Sequence, residues 1–304
     1  MPDSSEASNE ADAPGSDIDP ADAFSLLGNA TRLRIVTALH EDEETPLQFS
    51  DLFDRAEVAD SGQFNYHLDQ LVPHFVERTD DGYSLAAAGK RIARAVSAGL
   101  YTDSPTLEPF DLEGECIYCG ASALEGAYED ERFSVACGDC GESILLVNAP
   151  PSLVRGRSPE EFVDAFERWS RTMVEQATRG LCPECGGTVE PDIDDDPHEA
   201  VAVEALAGFF CTVCGQPVVT SFGGVAMMDD TVQAFHDRRG AALEERHYWS
   251  IEQFVSDQHT TVHSRDPWSV EVSFYADGDA CHVAIDEHLT VAGATIVPGG
   301  APES

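Results

Sequence analysis

The chain is short of basic residues. Lys90 is its only lysine, and 17 basic residues face 57 acidic ones, for a formal net charge of −40. The acids run through the whole sequence and form no single patch, so the charge describes a surface and identifies no partner. No apolar run approaches 18 residues, which excludes a membrane-spanning helix. The N-terminus, MPDSSEASNEADAPGSDIDP, lacks the basic start and apolar stretch of an export signal, so a cytoplasmic protein is expected. There is also no recognisable nucleophile–base pair, phosphate-binding loop or open metal site, and no enzymatic activity is expected.

What is present is enough for two or three domains: 304 residues, of which 42% are hydrophobic. The acidity is uneven. Residues 1–23 carry seven acids and no base, whereas residues 24–95 carry twelve acids and seven bases and are about half as acidic per residue as residues 96–304. An acid excess in which arginine nearly replaces lysine resembles the proteins of salt-accumulating haloarchaea.

From Ala21 the pattern turns periodic. Phe24, Leu26 and Leu27 lead into a second helix, capped by Asn29 or Thr31, in which Leu33, Ile35, Val36 and Leu39 recur at helical spacing. Pro46 suits the first turn of a third helix over 46–58. Asp60 or Ser61 can cap a fourth helix that runs to about Val72 with Phe64, Leu68 and Leu71 inward. Two short β-prone runs, 75–79 and 83–85, flank Asp81-Gly82 and predict a hairpin, and a fifth helix is expected over 86–99.

Four helices, a hairpin and a helix make the order of a winged helix–turn–helix. The stretches LLGNATRLRIVTAL, FNYHLDQLV and FVERTDDGYSLAAAGK resemble the ArsR-type winged-helix transcription regulators, in the form common in haloarchaea, over residues 21–100. The resemblance implies that the 60–72 helix enters the major groove of double-stranded DNA and that the 75–85 wing lies along the backbone. It also implies a homodimer built by the first and last helices. Ser61, Gln63, Asn65, Tyr66, His67 and Gln70 are then the candidate base and phosphate contacts, since amides pair bidentately with adenine. Arg78, Lys90 and Arg91 are candidate phosphate contacts, with Arg94 beside them. Metal-sensing members of the family carry paired cysteines on the third helix. Here the first 115 residues contain none, which excludes thiol-based sensing in this domain.

Eight of the nine cysteines form four copies of one motif: Cys116/Cys119, Cys137/Cys140, Cys182/Cys185 and Cys211/Cys214, each pair followed by glycine. Two thiolates across a tight turn can face one tetrahedral ion, and the glycine accepts the positive φ that such a knuckle needs. Paired knuckles predict two zinc ribbons, each ion held by four cysteines with no position left for water, so the two Zn2+ are structural. A disulfide framework needs an oxidising compartment. A redox pair does not call for four copies, and iron–sulfur ligation uses the same thiolates.

The pairs expose a repeat. After each second knuckle come an apolar strand (Ser143–Val147, Pro217–Thr220) and a helix (159–178, 229–246), so 114–180 and 181–247 read as two copies of one unit. The longer second copy carries an acidic loop over 192–199. Farther on, 270–274 and 281–285 alternate about a turn, which places Cys281 on an inward face as a buried thiol. His236, His247, His259, His263, His282 and His288 cluster in sequence. However, Thr260-Thr261-Val262 between His259 and His263 argues against a helix that would pair them.

The expected fold class is therefore α+β. A disordered acidic tail (1–20) precedes the winged helix–turn–helix (21–100), a linker (101–113), zinc-ribbon units 114–180 and 181–247, a small β-hairpin region (248–297) and a tail (298–304). The expected function is a DNA-binding transcription regulator with a zinc-stabilised effector or interaction module. The alternative is a zinc-ribbon adaptor that contacts the transcription machinery without an operator of its own.

Overall fold

The computed structural model describes residues 18–195 and 203–302. The chain divides into two compact units, Met1–Asp103 and Ser104–Ser304. The fold is mixed α+β: N-terminal helices with a β-hairpin, then two cysteine-bearing sheets and a C-terminal four-stranded sheet.

In the first unit α1 (Pro20–Leu27) and α2 (Ala30–His40) are capped by Asp19 and Asn29, whose side chains accept the first free backbone N–H groups at 2.8 and 2.9 Å. Next come α3 (Phe49–Arg55) and α4 (Ser61–Leu71), the latter capped by Asp60 Oδ1, which accepts from the Gln63 N–H at 2.7 Å. The hairpin β1 (Val76–Thr79) and β2 (Gly82–Leu85) and helix α5 (Ala87–Ser97) complete it. Ile35, Leu52, Phe64, Leu68, Leu71 and Val76 are fully buried, with Phe49 and Phe53 edge-on to Phe64. This arrangement is compatible with a winged helix.

Helix α3 is shorter than the expected 46–58, because Leu47 exchanges backbone hydrogen bonds with Tyr83 at 2.8 and 2.9 Å. The bridge adds a third short strand to the wing. It depends on Gly82, where any Cβ would lie 2.5 Å from the Leu47 carbonyl oxygen. Of the tail expected over 1–20, residues 1–17 lie outside the described residues.

The second unit opens inside the expected linker. β3 (Leu107–Leu112) is the edge of an antiparallel sheet β3-β4-β5-β6, with β4 (Leu124–Glu129), β5 (Arg132–Cys137) and β6 (Ser143–Asn148). Helix α6 (Pro159–Thr178) comes next. Ser158 and Glu161 form a reciprocal capping box at its start, and Pro159 stands in its first turn, where a missing N–H costs nothing. Its face of Phe162, Val163, Phe166, Val174 and Ala177 is buried; Phe162 and Phe166 pack edge-on to Phe133 at 5.1 and 4.8 Å.

The second sheet is β7-β8-β9, with β7 (Val189–Asp194), β8 (Leu206–Cys211) and β9 (Pro217–Thr220). Of the acidic loop expected over 192–199, Asp192–Asp194 belong to β7, and 196–199 lie outside the described residues. Helices α7 (Phe222–Ala226) and α8 (Asp230–Asp237) stand in place of the single helix expected over 229–246. Gly240, at φ 64°, ends α8: its N–H bonds to the Asp237 carbonyl and the Ala241 N–H to the His236 carbonyl, a Schellman stop.

A short helix α9 (Glu252–Val255) leads to the antiparallel meander β10 (Thr260–Arg265), β11 (Trp268–Ala276), β12 (Asp279–Asp286) and β13 (Val291–Val297). The expected hairpin is thus the centre of a four-stranded sheet. Past it, the Gly299 N–H donates to Asp279 Oδ1 and the Ala301 N–H to the Gly278 carbonyl, so the segment expected as a free tail is tied to the β11–β12 turn. One core runs through both ribbon sheets, α6 and the inner face of this meander, where Cys281 is fully buried.

Candidate metal centres and nucleic-acid interface

The four knuckles are built alike. In each, the glycine after the second cysteine donates its N–H to the carbonyl of the first, at 2.8–3.0 Å, with φ between 73° and 79°. Each first cysteine also donates its own N–H across the turn: Cys116 to Ala121, Cys137 to Glu142, Cys182 to Gly187 and Cys211 to Gln216. The turn points both sulfurs to one side.

The sulfurs meet crosswise. Cys116 Sγ lies 3.7 Å from Cys140 Sγ, and Cys119 Sγ lies 3.7 Å from Cys137 Sγ. In the second ribbon the Cys182–Cys214 and Cys185–Cys211 distances are 3.7 and 3.5 Å. All sulfurs of a cluster lie within 4.8 Å of one another, and no cysteine is in a disulfide. A tetrahedral ion with bonds of about 2.3 Å sets its ligand sulfurs about 3.8 Å apart, so the residues fit such an ion. The first cysteine of each pair is buried and the second exposed, which puts each centre at the tip of its ribbon.

The four thiols of a cluster do not titrate alike: burial and the facing thiols push Cys140 and Cys214 up to about 12, while one thiol in each cluster is held down. The Cys140 N–H, and after it the Asp139 N–H, hold the Cys137 thiol down at about 7. The Cys214 and Val213 N–H groups, each 3.4 Å from Cys211 Sγ, hold that thiol at about 6. Metal ligation requires the deprotonated form. Among the described residues the two four-cysteine sets are the only metal-ligating clusters. His259 stands before β10, His263 lies within it, and His259 pairs with Glu252 at 2.6 Å. Ser273 and Glu271 both reach Nδ1 of His282, at 2.9 and 3.5 Å.

In the first unit α4 exposes Ser61, Gln63, Asn65, Tyr66 and Gln70, with Tyr66 59% exposed. Asn65 Nδ2 donates to Asp69 Oδ2 at 3.0 Å, which orients the amide along the helix. His67 departs from the expected open face: it is only 8% exposed, and its Nδ1 has no partner. Arg78 is exposed on the wing, 5.5 Å from the centre of the Tyr83 ring. On α5, Lys90 is half-buried, Arg91 is exposed, and Arg94 is engaged by Glu43 at 3.3 Å.

Residues 113–291 match a family described as a domain of unknown function, DUF7351, and residues 20–96 match a second so described, DUF7347. No curated protein matches the chain. No helix among the described residues is long and apolar enough to cross a membrane.

Proposed function

The chain belongs to the DUF7351 family, and we propose that it is a cytoplasmic transcription regulator of the ArsR-type winged-helix class with two structural zinc ions. The observation that carries this reading is α4: an exposed row of amides and hydroxyls beside a hairpin wing, in the least acidic part of the chain. Gln63, Asn65 and Gln70 supply bidentate base contacts, Ser61 and Tyr66 reach bases or phosphates, and Arg78, Lys90 and Arg91 neutralise phosphates. His67 acts from beneath, as packing. The exposed Phe24 of α1, and Leu100 and Tyr101 after α5, support a homodimer joined through the first and last helices. Its two α4 helices would read half-sites about one turn of DNA apart.

Zinc is the ion that all-thiolate, tetrahedral, fully ligated sites with these sulfur separations suit best. Filled shells make the ions scaffolding, and the reading contains no catalytic step. A chain this acidic is suited to molar salt, where counterion release adds little to affinity. Base contacts and shape then carry the binding, and operator affinity should fall only shallowly with salt.

Genome-wide footprinting of the intact protein and of Gln63→Ala/Gln70→Ala tests the reading. A shared sequence motif that disappears in the variant supports it; occupancy without a motif contradicts it. One observation favours an adaptor instead. The second ribbon exposes Val213 (73%) between two metal ligands, with Leu181 and Phe210 also exposed, an apolar surface suited to a protein partner. Recovery of polymerase subunits in a pulldown, with no motif in the footprint, would move the assignment there.

A further inference from the structure

Two sheets of the second unit end side by side without joining. β6 is the last strand of the first sheet and β9 the last of the second, and among the described residues neither pairs with a further strand. Between them lies a cavity of about 340 Å³, within the size range of small-molecule sites. Residues 144–148 of β6 and all four residues of β9 line it. Successive strand residues point to opposite faces, so a cavity touched by consecutive residues of both strands runs along their free edges. Val147 of β6, Trp169 and Met173 of α6 and Phe254 of α9 are half-buried. They pack on the core on one side and line the cavity on the other.

Charge is kept out of this cavity. Of the chain's 304 residues 57 are acidic, yet none of the 20 lining residues is. The one charged lining residue, Arg132, is exposed at the mouth and already stands among carboxylates. Glu129 lies directly opposite it in the β4–β5 register, and Asp130 and Glu131 precede it in the chain. An anion at the mouth would meet three carboxylates for one guanidinium, and a cation would meet the guanidinium. Deeper in, either charge would lose its water to apolar side chains. The hydroxyls of the wall are spent: Ser170 donates to the Glu167 carbonyl, Ser221 to that of Gln253, and Thr220 Oγ1 lies against Gly224. What remains for a ligand is the backbone, since a free strand edge presents neutral N–H donors beside neutral C=O acceptors.

We propose that the gap between β6 and β9 binds a small uncharged lipophile whose head both donates and accepts hydrogen bonds, an amide or an alcohol. Its body lies among Leu145, Val147, Trp169, Met173, Val218 and Phe254, and its head bonds to backbone groups of the free strand edges. The volume of the gap sets the size of the ligand, the charge-free interior sets its neutrality, and the edges set the chemistry of its head. Binding at this site does not depend on the regulator reading. Its use as an effector site does, and the two are measured separately.

The test uses the intact, zinc-loaded chain with octanamide as probe, followed by calorimetry and tryptophan fluorescence. Octanoate and octylammonium, of nearly the same shape, serve as charged competitors. Octanamide should bind one per chain and change the fluorescence in a way lost in Trp169→Phe. Each charged competitor should displace it with an affinity at least about tenfold weaker than its own. Arg132→Gln should leave octanamide within about twofold of the parent. Val218→Trp and Met173→Trp, which fill the gap from two walls, should abolish octanamide binding while zinc stays at two per chain. If both filled variants lose zinc, the ranking of the three probes on the parent chain decides. No saturable octanamide binding up to about 5 mM, a charged competitor as tight as the amide, a loss beyond about tenfold in Arg132→Gln, or unchanged binding in a filled variant that keeps both ions each overturns the proposal. So does tight binding of an extended peptide without octanamide binding, which would give the edges to a partner strand. An operator affinity that octanamide leaves unchanged removes the effector role alone.

Discussion

The two ribbons carry the same knuckles in different settings. Their cross-turn hydrogen bonds match residue for residue, and their sulfur separations agree within 0.2 Å. The first ribbon gains a strand in front, β3, and the 20-residue α6 behind. Among the described residues the second has no strand in front, and behind it stands the five-residue α7, Phe222–Ala226, whose Gly223 lets backbone meet backbone and whose Gly224 makes room for the Thr220 side chain. A Cβ on Gly223 would lie 1.6 Å from the Gln253 carbonyl oxygen. The ligand turn is thus a local structure set by six residues and an ion. What the ribbon packs against is set by its flanks.

The largest test of that division is to remove a ligand. Cys182→Ser should take zinc below two per chain and unfold the second unit, since a structural zinc binds with about 10–16 kcal/mol and a domain is stable by about 5–15 kcal/mol. The helical signal of the first unit should remain in circular dichroism. Metal content still at two after the change would mean the cysteines are paired otherwise.

Two glycines sharpen the contrast between turn and flank. Gly223→Ala should cost about 2–4 kcal/mol, because α7 must move off α9. Gly141→Ala, where φ is 79° and nothing lies within 4 Å of the added carbon, should cost only about 1 kcal/mol. Thermal denaturation of the two variants side by side decides it, and equal losses would mean that α7 yields.

The effects that depend on pH separate two histidines of the second unit. His236, 2% exposed, lies against Phe235 and Phe274 with neither ring nitrogen hydrogen-bonded. Burial, aided by Arg246 and Arg239, lowers it to about 4. The unfolded chain therefore takes up the proton first, and stability rises with pH from about 4 to 6.5 and is complete above, by about 3 kcal/mol. His247 is the reverse. Glu167 Oε1, 3.0 Å from its Nδ1, raises it, so its contribution is full below 6.5 and fades as pH climbs through the raised value. Urea titrations across pH should show His236→Phe flattening the acid limb and His247→Gln losing only what fades above 6.5. Curves that coincide with the parent's would show that neither group titrates as assigned.

Legibility followed the range of the interactions. The knuckles, α6 with its Ser158–Glu161 box and the Asp-Gly hairpin turn were readable because each is held within a few residues. His67 was readable too, but was misplaced. It stands three residues after Phe64 and four before Leu71, on the buried stripe, and its polarity suggested the opposite face. β3 was hidden because an edge strand such as LEPFDL carries charge and needs a partner, β4, to define it. Pro46 suggested a helix start until Tyr83, 37 residues on, drew Leu47 into a bridge. The gap between β6 and β9 has no sequence signature, since it arises only when two sheets stop short of each other.

The continuous core of the second unit has a further consequence. Phe133 of the first ribbon touches Trp249, whose Nε1–H donates to the Glu113 carbonyl at 2.9 Å, and the second ribbon's apolar residues belong to the same cluster as the C-terminal sheet. Neither ribbon is therefore a module of its own. Neither can be excised alone, and a cut at residue 247 that leaves all eight ligands in place would still strip the inner wall from both.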